Sequence, residues 1–134
     1  MTSHDIRTLV DAFFSGLSLG EIDADMLTPE MTFWSVNSGV SERERFLQGI
    51  RVLATIAGKS LCYTVDTLIV DGQRAAAEVS SSGTLINGEG LQNKHVFIFT
   101  VSDGKISAVV EFMNQRVVEE KIMPLMMALG TGKK

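Results

Sequence analysis

Residues 93–114 have the sequence NKHVFIFTVSDGKISAVVEFMN. β-Branched and aromatic residues dominate both halves of this stretch, and an Asp-Gly pair lies between them. This pattern predicts a β-hairpin. We assign its first strand to His95–Val101, its turn to Ser102–Gly104 and its second strand to Lys105–Asn114.

Two ionisable residues, His95 and Glu111, interrupt the apolar pattern of this hairpin. A three-residue turn with Gly104 in the left-handed bulge position would pair Val101 with Lys105. In that register His95 lies directly opposite Glu111. A two-residue type I′ turn would shift the register by one residue and put the two side chains on opposite faces. The first geometry predicts a carboxylate–imidazole pair suited to acid/base chemistry, and the second predicts two unrelated polar residues.

The composition is that of an ordinary globular protein. The chain has 134 residues, of which 45% are hydrophobic and 21% are charged. We expect a single domain at residues 1–128 and a flexible tail at residues 129–134. The net charge of −4 and the pI near 5.1 argue against binding to nucleic acid or to anionic membranes, because no basic stripe is available to neutralise phosphates.

Cysteine and histidine are too sparse to suggest a disulfide or a metal site. Cys62 is the single cysteine and cannot form an internal disulfide, and the two histidines lie far from it in sequence. There is no metal-ligand spacing and no glycine-rich phosphate loop, so we expect neither a metal nor a cofactor. With no signal-peptide pattern and no apolar run of membrane length, we expect a cytoplasmic protein.

Helical periodicity gives way to strand periodicity along the chain. Apolar residues at helical spacing predict one helix that ends at Gly20 and a second that ends at Gly58. Alternating patterns then predict antiparallel strands. The predicted elements outside the hairpin are strands at Met31–Val36, Leu61–Val70 and Arg74–Ile86, and a last short helix from Arg116 to about Met123, where Pro124 disturbs it. This order indicates an α+β domain with its helices on one face of a curved antiparallel sheet.

The order of elements resembles the nuclear-transport-factor-2-like cone fold, which is cystatin-like in shape. More narrowly, the chain is similar to SnoaL-like and ketosteroid-isomerase-related proteins over roughly residues 5–125. The residues that carry the resemblance are Asn93-Lys94-His95, Ser102-Asp103-Gly104-Lys105-Ile106 and Glu111-Phe112-Met113-Asn114. Relatives commonly have an aromatic residue at the position of His95 and an acid at that of Asn114, so the chain departs from the pattern at both.

The resemblance implies a cofactor-free enzyme that acts by acid/base chemistry on an apolar carbonyl or polycyclic substrate. Ketosteroid isomerases carry acids at positions that match approximately Ser35 and Phe97, and the arginine of limonene-epoxide hydrolases is missing. SnoaL-type cyclases use an acid at the position of Glu111 and a histidine near Phe97. Here His95 lies two residues earlier, on the same face of the strand. We therefore expect Glu111 to abstract a proton next to a carbonyl while His95 stabilises the enolate oxygen.

Further residues are expected to line the cavity of the cone: Trp34, Tyr63, Glu78, Phe97, Met113 and Asn114. Trp34 and Tyr63 each combine an apolar body with a polar tip, and core packing is the alternative interpretation. Glu78 alternates with Ser80 and Ser82, so these three side chains point together either into the cavity or to solvent.

Both faces of the hairpin are apolar, since Val96 and Ile98 alternate with Phe97 and Phe99. One face should meet the helices and the other a second subunit, so we expect a homodimer formed through the sheet. The expected ligand is a small hydrophobic molecule. The alternative function is a binding protein or a dimeric assembly module of the same fold without chemistry. A filled cone would favour assembly, and an open cone above the ionisable pair would favour the enzyme.

Overall fold

The computed structural model describes residues 2–129, so most of the expected tail lies outside the described residues. The main elements are α1 (Ser3–Leu19), β1 (Leu27–Ser35), β2 (Gly39–Glu42), α2 (Arg43–Ile56), β3 (Cys62–Asp71), β4 (Arg74–Thr84), β5 (Gly90–Ser102) and β6 (Lys105–Met113). A 3₁₀ turn at Ala24–Met26 precedes β1. Among residues 2–129, no helix combines the length and the apolar character needed to cross a membrane.

The six strands form one sheet in the order β2-β1-β6-β5-β4-β3. Neighbouring strands are antiparallel except for β1 and β6, which run parallel. Because these two strands are far apart in sequence, no hairpin turn forces them to be antiparallel. The predicted α+β architecture is confirmed, with the parallel pair and the short strand β2 as features that the sequence pattern did not indicate.

Helix α1 begins and ends at residues suited to those positions. The Thr2 side chain accepts a hydrogen bond from the Asp5 amide, and the Asp5 carboxylate accepts one from the Thr2 amide, which forms a capping box. These bonds hold the pKa of Asp5 below its usual value. At the other end Gly20 has φ 77°, and a Cβ added there would lie 2.5 Å from the Cβ of Ala54. Glycine therefore allows both the left-handed turn and the close approach of α1 to α2.

Aromatic rings from α1 and β5 form the centre of the core. Phe13 and Phe14 of α1 meet Phe97 and Phe99 of β5 edge-on, with ring centroids 4.9 to 6.2 Å apart. All four rings are buried, and burial of each contributes about 1.5–3 kcal/mol. Because His95 lies two residues before Phe97 in β5, its side chain points to the same core face of the sheet.

The turn of the β5–β6 hairpin is the two-residue alternative. Ser102 pairs with Lys105, and Asp103 and Gly104 have φ values of 53° and 77°, as in a type I′ turn. The alternative that pairs Val101 with Lys105 is therefore absent. The direct opposition of His95 and Glu111, which depended on that alternative, is absent with it.

A β-bulge beside this turn changes the register a second time. Ser107 is the extra residue in β6 and reverses the alternation of the strand. Beyond the bulge, His95 pairs with Met113. Glu111 pairs with Phe97. His95 and Glu111 are thus not opposed, but they lie on the same face, one diagonal step apart.

The C-terminal segment is a helix interrupted by a π-helical stretch. It consists of α3 (Gln115–Val117), a π-helical stretch at Val118–Ile122 and α4 (Met123–Ala128). The helix does not end at Pro124 as expected, because this residue lies in the first turn of α4, where a missing N–H group is tolerated. The segment packs against an apolar cluster with the buried members Ile56, Ala57, Leu61, Leu85 and Leu91.

Candidate functional site

Three hydrogen-bonded side chains cross the core face of the sheet: Ser81 of β4, His95 of β5 and Glu111 of β6. His95 Nδ1 lies 2.7 Å from Glu111 Oε2, and His95 Nε2 lies 2.8 Å from Ser81 Oγ. The side chains of His95 and Glu111 are 8% and 14% exposed, and Ser81 is 6% exposed. We call this set of three residues the relay.

The strand register produces the relay. Val79 pairs with His95 across β4 and β5, which leaves Ser81 one diagonal step from the imidazole on the same face. The bulge in β6 places Glu111 one diagonal step away on the other side. Diagonal neighbours in a sheet are roughly 7–8 Å apart at the backbone, and an imidazole ring is long enough to contact both of them.

The carboxylate determines the direction of the hydrogen bonds. Because a carboxylate only accepts, His95 Nδ1 donates to Glu111. In the neutral imidazole, Nε2 is then the acceptor, and the Ser81 hydroxyl donates to it. The basic nitrogen of the relay is therefore Nε2, with Glu111 behind the ring as the group that orients it.

Aromatic rings flank the imidazole. The Tyr63 and Phe97 rings lie 5.9 and 5.5 Å from that of His95, and Phe14 packs 5.7 and 4.9 Å from these two rings. Burial, and to a smaller extent the charge of Glu111, raises the pKa of Tyr63. Its phenol therefore stays protonated and can donate a hydrogen bond. The surroundings are of low dielectric constant, in which such polar contacts are strengthened.

Ser81 is a site residue that the sequence pattern did not single out. It follows Ala77 and Val79 at a period of two, and all three are buried. A polar residue at an otherwise apolar, core-facing position is the signal that could have identified it. The alternation of Glu78 with Ser80 and Ser82 is the more obvious polar pattern in this strand.

Those neighbours lie on the opposite, outer face of the sheet. Ser80 Oγ donates to Asp66 Oδ2 at 2.6 Å and accepts from Lys94 Nζ at 2.8 Å. Glu78 is exposed. Of the two alternatives, cavity or solvent, Glu78 and Ser80 therefore take the second and face away from the relay.

The residues expected to line the cavity are divided between the two faces of the sheet. Tyr63 and Phe97 lie beside the relay, as described above. Trp34, like Glu78, lies on the outer face, where its ring packs 5.2 Å from that of Phe112. The structure therefore brings only part of the expected set together around the relay.

Met113 and Asn114 lie at the end of β6. The Met113 sulfur accepts a hydrogen bond from Asn37 Nδ2 at 3.4 Å, and Asn114 Oδ1 accepts one from the Arg116 amide at 3.1 Å. The Asn93 side chain binds the backbone of Asn114 in both directions, at 3.3 and 3.2 Å. These contacts fix the junction between β6 and the C-terminal segment.

Two grooves adjoin the sheet near the relay. The first has a volume of about 520 Å³, and its floor includes the outer-face row Glu78, Val96 and Phe112. The second has a volume of about 420 Å³ and is lined by residues that include Ser81 and Asn93. His95 borders the first groove and Ser81 the second, but the His95 and Glu111 side chains are only 8% and 14% exposed, so the relay is largely covered. Within residues 2–129, no three His, Cys, Asp or Glu side chains are grouped so as to hold a metal ion.

The sequence matches a known family over most of its length. The family profile described as SnoaL-like domain covers residues 6–109. The chain therefore belongs to the SnoaL-like family. No curated protein sequence matches it significantly.

Solved structures share the fold. A nuclear-transport-factor-2-like protein from Anabaena variabilis is 21% identical, covers 83% of this chain and 87% of its own, and has a TM-score of 0.73. A protein described as a SnoaL-like polyketide cyclase from Jannaschia sp. CCS1 is 16% identical over 89% of this chain and 92% of its own, with a TM-score of 0.75. PrhC from Penicillium brasilianum is 16% identical over 98% and 95%, with a TM-score of 0.82. At these identities the likeness shows a common fold.

Proposed function

We propose that the protein is a cofactor-free enzyme of the polyketide cyclase and ketosteroid isomerase kind, which moves a proton next to a carbonyl group of a small apolar substrate. The observation that carries the proposal is the relay, in which a buried imidazole has a carboxylate on one nitrogen and a hydroxyl on the other. Family membership supports it, as does the likeness in fold to a protein described as a polyketide cyclase.

In the proposed reaction His95 is the base, whereas the sequence suggested Glu111. The substrate displaces the Ser81 hydroxyl from Nε2, which then takes a proton from the carbon next to the carbonyl. Glu111 keeps the ring in the required tautomer and stabilises the imidazolium that forms. The Tyr63 phenol donates a hydrogen bond to the enolate oxygen.

Two products follow from the same enolate. Return of the proton to a different carbon isomerises the substrate. Attack of the enolate carbon on a second carbonyl of the same molecule closes a ring, and the new alkoxide takes the proton from the imidazolium. Neither route needs an external oxidant or reductant. The aromatic rings around the relay favour apolar, uncharged substrates.

A substrate must open the covered site. Tyr63 packs both against the central core and against the apolar cluster that the C-terminal segment covers. Movement of this segment away from Tyr63 is the proposed route to the relay. The interrupted helix suits such movement, since π-helical turns occur frequently at functional sites.

Proton exchange tests the proposal without knowledge of the natural substrate. The protein is incubated in D₂O with α-tetralone, an apolar aryl ketone, and the loss of the α-proton signal is followed by NMR. We expect native protein to accelerate exchange, and His95→Ala and Glu111→Gln to lower the protein-dependent rate by roughly 10²–10⁴-fold. The control variants His4→Ala and Glu30→Gln change exposed residues of the same types and should exchange at the native rate. A native rate in His95→Ala would exclude His95 as the base.

The covered state of the relay favours a second function, which is ligand binding or dimeric assembly without chemistry. In that case the relay is a structural feature of the core. Native protein would then leave the exchange rate at that of buffer alone, while His95→Ala would lower only the free energy of unfolding.

A further inference from the structure

We propose that Ser81 is a nucleophile, and that the protein transfers the acyl group of small activated esters to Ser81 and then to water. Ser81 Oγ lies 2.8 Å from His95 Nε2, and Glu111 Oε2 lies 2.7 Å from Nδ1 of the same ring. This is the order nucleophile, base and orienting acid that activates a serine hydroxyl. Acyl transfer is a different reaction from the proton transfer proposed above, although it uses the same imidazole.

The register also places hydrogen-bond donors beside Ser81. Asn93 is the direct cross-strand partner of Ser81 in β5, and Tyr63 is its partner in β3. Opposed residues on one face have Cβ atoms about 4.5–5.5 Å apart. The Asn93 and Tyr63 side chains therefore lie on either side of Ser81. Asn93 Nδ2 already donates to the Asn114 carbonyl at 3.3 Å, which leaves its second N–H and the Tyr63 phenol as the available donors. Side-chain amides and phenols are among the groups that stabilise the oxyanion in acyl transfer.

The second groove borders the relay at Ser81. Its volume is about 420 Å³, and its lining combines Ser81 and Asn93 with outer-face residues such as Ser80 and Lys94. Because most of this lining faces away from the relay, the ester reaches the Ser81 hydroxyl only when the covered site opens, as does the ketone of the proposed function. The groove reaches the C-terminal segment through Val117, which belongs to α3.

The other serines within residues 2–129 lack this arrangement. Ser80, the neighbour of Ser81, bonds to Asp66 and Lys94 on the outer face and contacts no imidazole. Ser35 is also buried, but its hydroxyl pairs with that of Ser38 at 2.9 Å. Ser81 therefore differs from the buried Ser35 in its hydrogen-bond partner, which is His95.

The reaction balances without a further reagent. Ser81 Oγ attacks the carbonyl carbon while His95 Nε2 takes the hydroxyl proton. The carbon–oxygen bond of the ester breaks, and the departing alcohol takes the proton from the imidazolium. Water then attacks the acyl-serine with the same base, and the carboxylic acid leaves as Ser81 regains its proton.

A covalent probe tests the proposal. Native protein is treated with an alkyl fluorophosphonate, whose P–F bond breaks as the serine oxygen attacks phosphorus, and the product is analysed by intact mass and peptide mapping. We expect one adduct, on Ser81. The adduct should be absent in Ser81→Ala and in heat-denatured protein, retained in the matched control Ser80→Ala, and formed roughly 10²–10⁴-fold more slowly in His95→Ala.

The outcomes separate this proposal from the proton-transfer function. No adduct on native protein, an adduct on another serine, or equal labelling of denatured protein would overturn the nucleophile. If native protein exchanges the ketone proton but takes no label, the proton-transfer function stands and the nucleophile is excluded. If native protein takes the label but does not exchange the ketone proton, the nucleophile stands and the proton-transfer function is excluded. Because mapping is done on native protein, the test holds even where Ser81→Ala does not fold.

Discussion

Glu111 accepts a hydrogen bond from His95 at 2.7 Å although neither residue is the other's partner in the strand ladder. His95 pairs with Met113 and Glu111 with Phe97. The contact is diagonal, and it exists because the extra residue Ser107 returns Glu111 to the core face. The two side chains are only 8% and 14% exposed, so each satisfies a polar group that has little access to water.

The first prediction concerns the energetic coupling of this pair. His95→Ala and Glu111→Ala should each lower the free energy of unfolding by about 1–3 kcal/mol, because each leaves a buried partner unsatisfied. In the double variant the effects should be non-additive by about 0.5–3 kcal/mol. Urea denaturation measures the free energy of unfolding of the two single variants and of the double variant. The control pair Arg116–Glu120 is exposed with an N–O distance of 3.9 Å, and should couple by no more than about 0.5 kcal/mol. Strict additivity at His95 and Glu111 would contradict the contact.

Elements that depend on local sequence patterns can be predicted from this sequence, whereas pairings between remote segments cannot. Helices and strands are indicated by apolar periodicity, and glycines such as Gly20 mark helix ends. These signals are local, so α1, α2 and strands β3–β6 are predictable. The parallel pairing of β1 with β6 depends on chain segments remote in sequence, and no local pattern encodes it.

The site is harder to predict because a change of register at one residue changes the sheet face of every later residue in the strand. The three-residue turn places Glu111 on the face of His95, the two-residue turn alone places it on the other face, and the bulge at Ser107 moves it back. The shared face, which the sequence predicted only with the three-residue turn, therefore arises from a two-residue turn combined with a bulge. A single inserted residue reverses every assignment beyond it. Ser81 is hard to distinguish by its sequence pattern because both of its neighbours, Ser80 and Ser82, are also serines.

A pair of glycine substitutions tests the close packing of α1 on α2. Gly20→Ala should destabilise the protein by more than about 1 kcal/mol, because Gly20 has a positive φ and its added Cβ would meet Ala54. Gly49 lies within α2, exposed, with nothing within 4 Å of an added Cβ. Gly49→Ala should therefore stabilise it by about 0.5–1 kcal/mol. Thermal unfolding followed by circular dichroism gives the melting temperatures of both variants. Shifts of the same sign relative to native protein would contradict the proposed packing.

The outer face of the sheet is expected to form a homodimer. It carries a cross-strand apolar row, and Val96 and Phe112 on the same face are 40% and 47% exposed. The row consists of Ile69, Ala76, Ile98, Val110 and Trp34. Light scattering at micromolar concentration should give twice the chain mass of 14.6 kDa, and a monomer mass would reject the dimer.

Charge substitutions locate the interface. Ile98→Arg or Val110→Arg should give monomers or aggregates, because a buried unpaired charge is costly. Leu19→Arg changes an exposed apolar residue at the end of α1, away from the sheet face, and should leave the mass unchanged. A mass change in Leu19→Arg with none in the other two would place the interface on the helices instead.

Tyr63 provides a spectroscopic test of the relay's surroundings. It is the single tyrosine, so the tyrosinate absorbance near 295 nm reports on it alone. Burial, followed by the charge of Glu111, raises its pKa above the usual value of 10.0. The un-ionised phenol is favoured in the folded state. Its contribution to stability is therefore fully present below about pH 10 and is lost as the pH rises further.

The measurement is an absorbance titration in native buffer and in denaturant. Tyrosinate should form at higher pH in the native protein than in the unfolded chain. Glu111→Gln should move the native titration part of the way back, since it removes the smaller of the two causes. Identical native and denatured titrations would show that Tyr63 is in contact with water.

The last prediction concerns ligand chemistry at the relay. A phenol resembles an enolate in its acidic oxygen on an unsaturated carbon, so a site that stabilises an enolate should bind a phenol more tightly than an alcohol of similar size. Binding of 2-naphthol is compared with that of 2-decalinol by calorimetry between about pH 5 and 8, the range in which a histidine changes charge. We expect the preference for the phenol to vary with pH in native protein and to weaken in His95→Ala and Glu111→Gln. His4→Ala, which changes an exposed histidine of α1, should behave as native protein. A phenol affinity that does not change with pH would mean that the His95–Glu111 pair only holds the core together, and the ligand-binding or assembly function would then replace the enzyme.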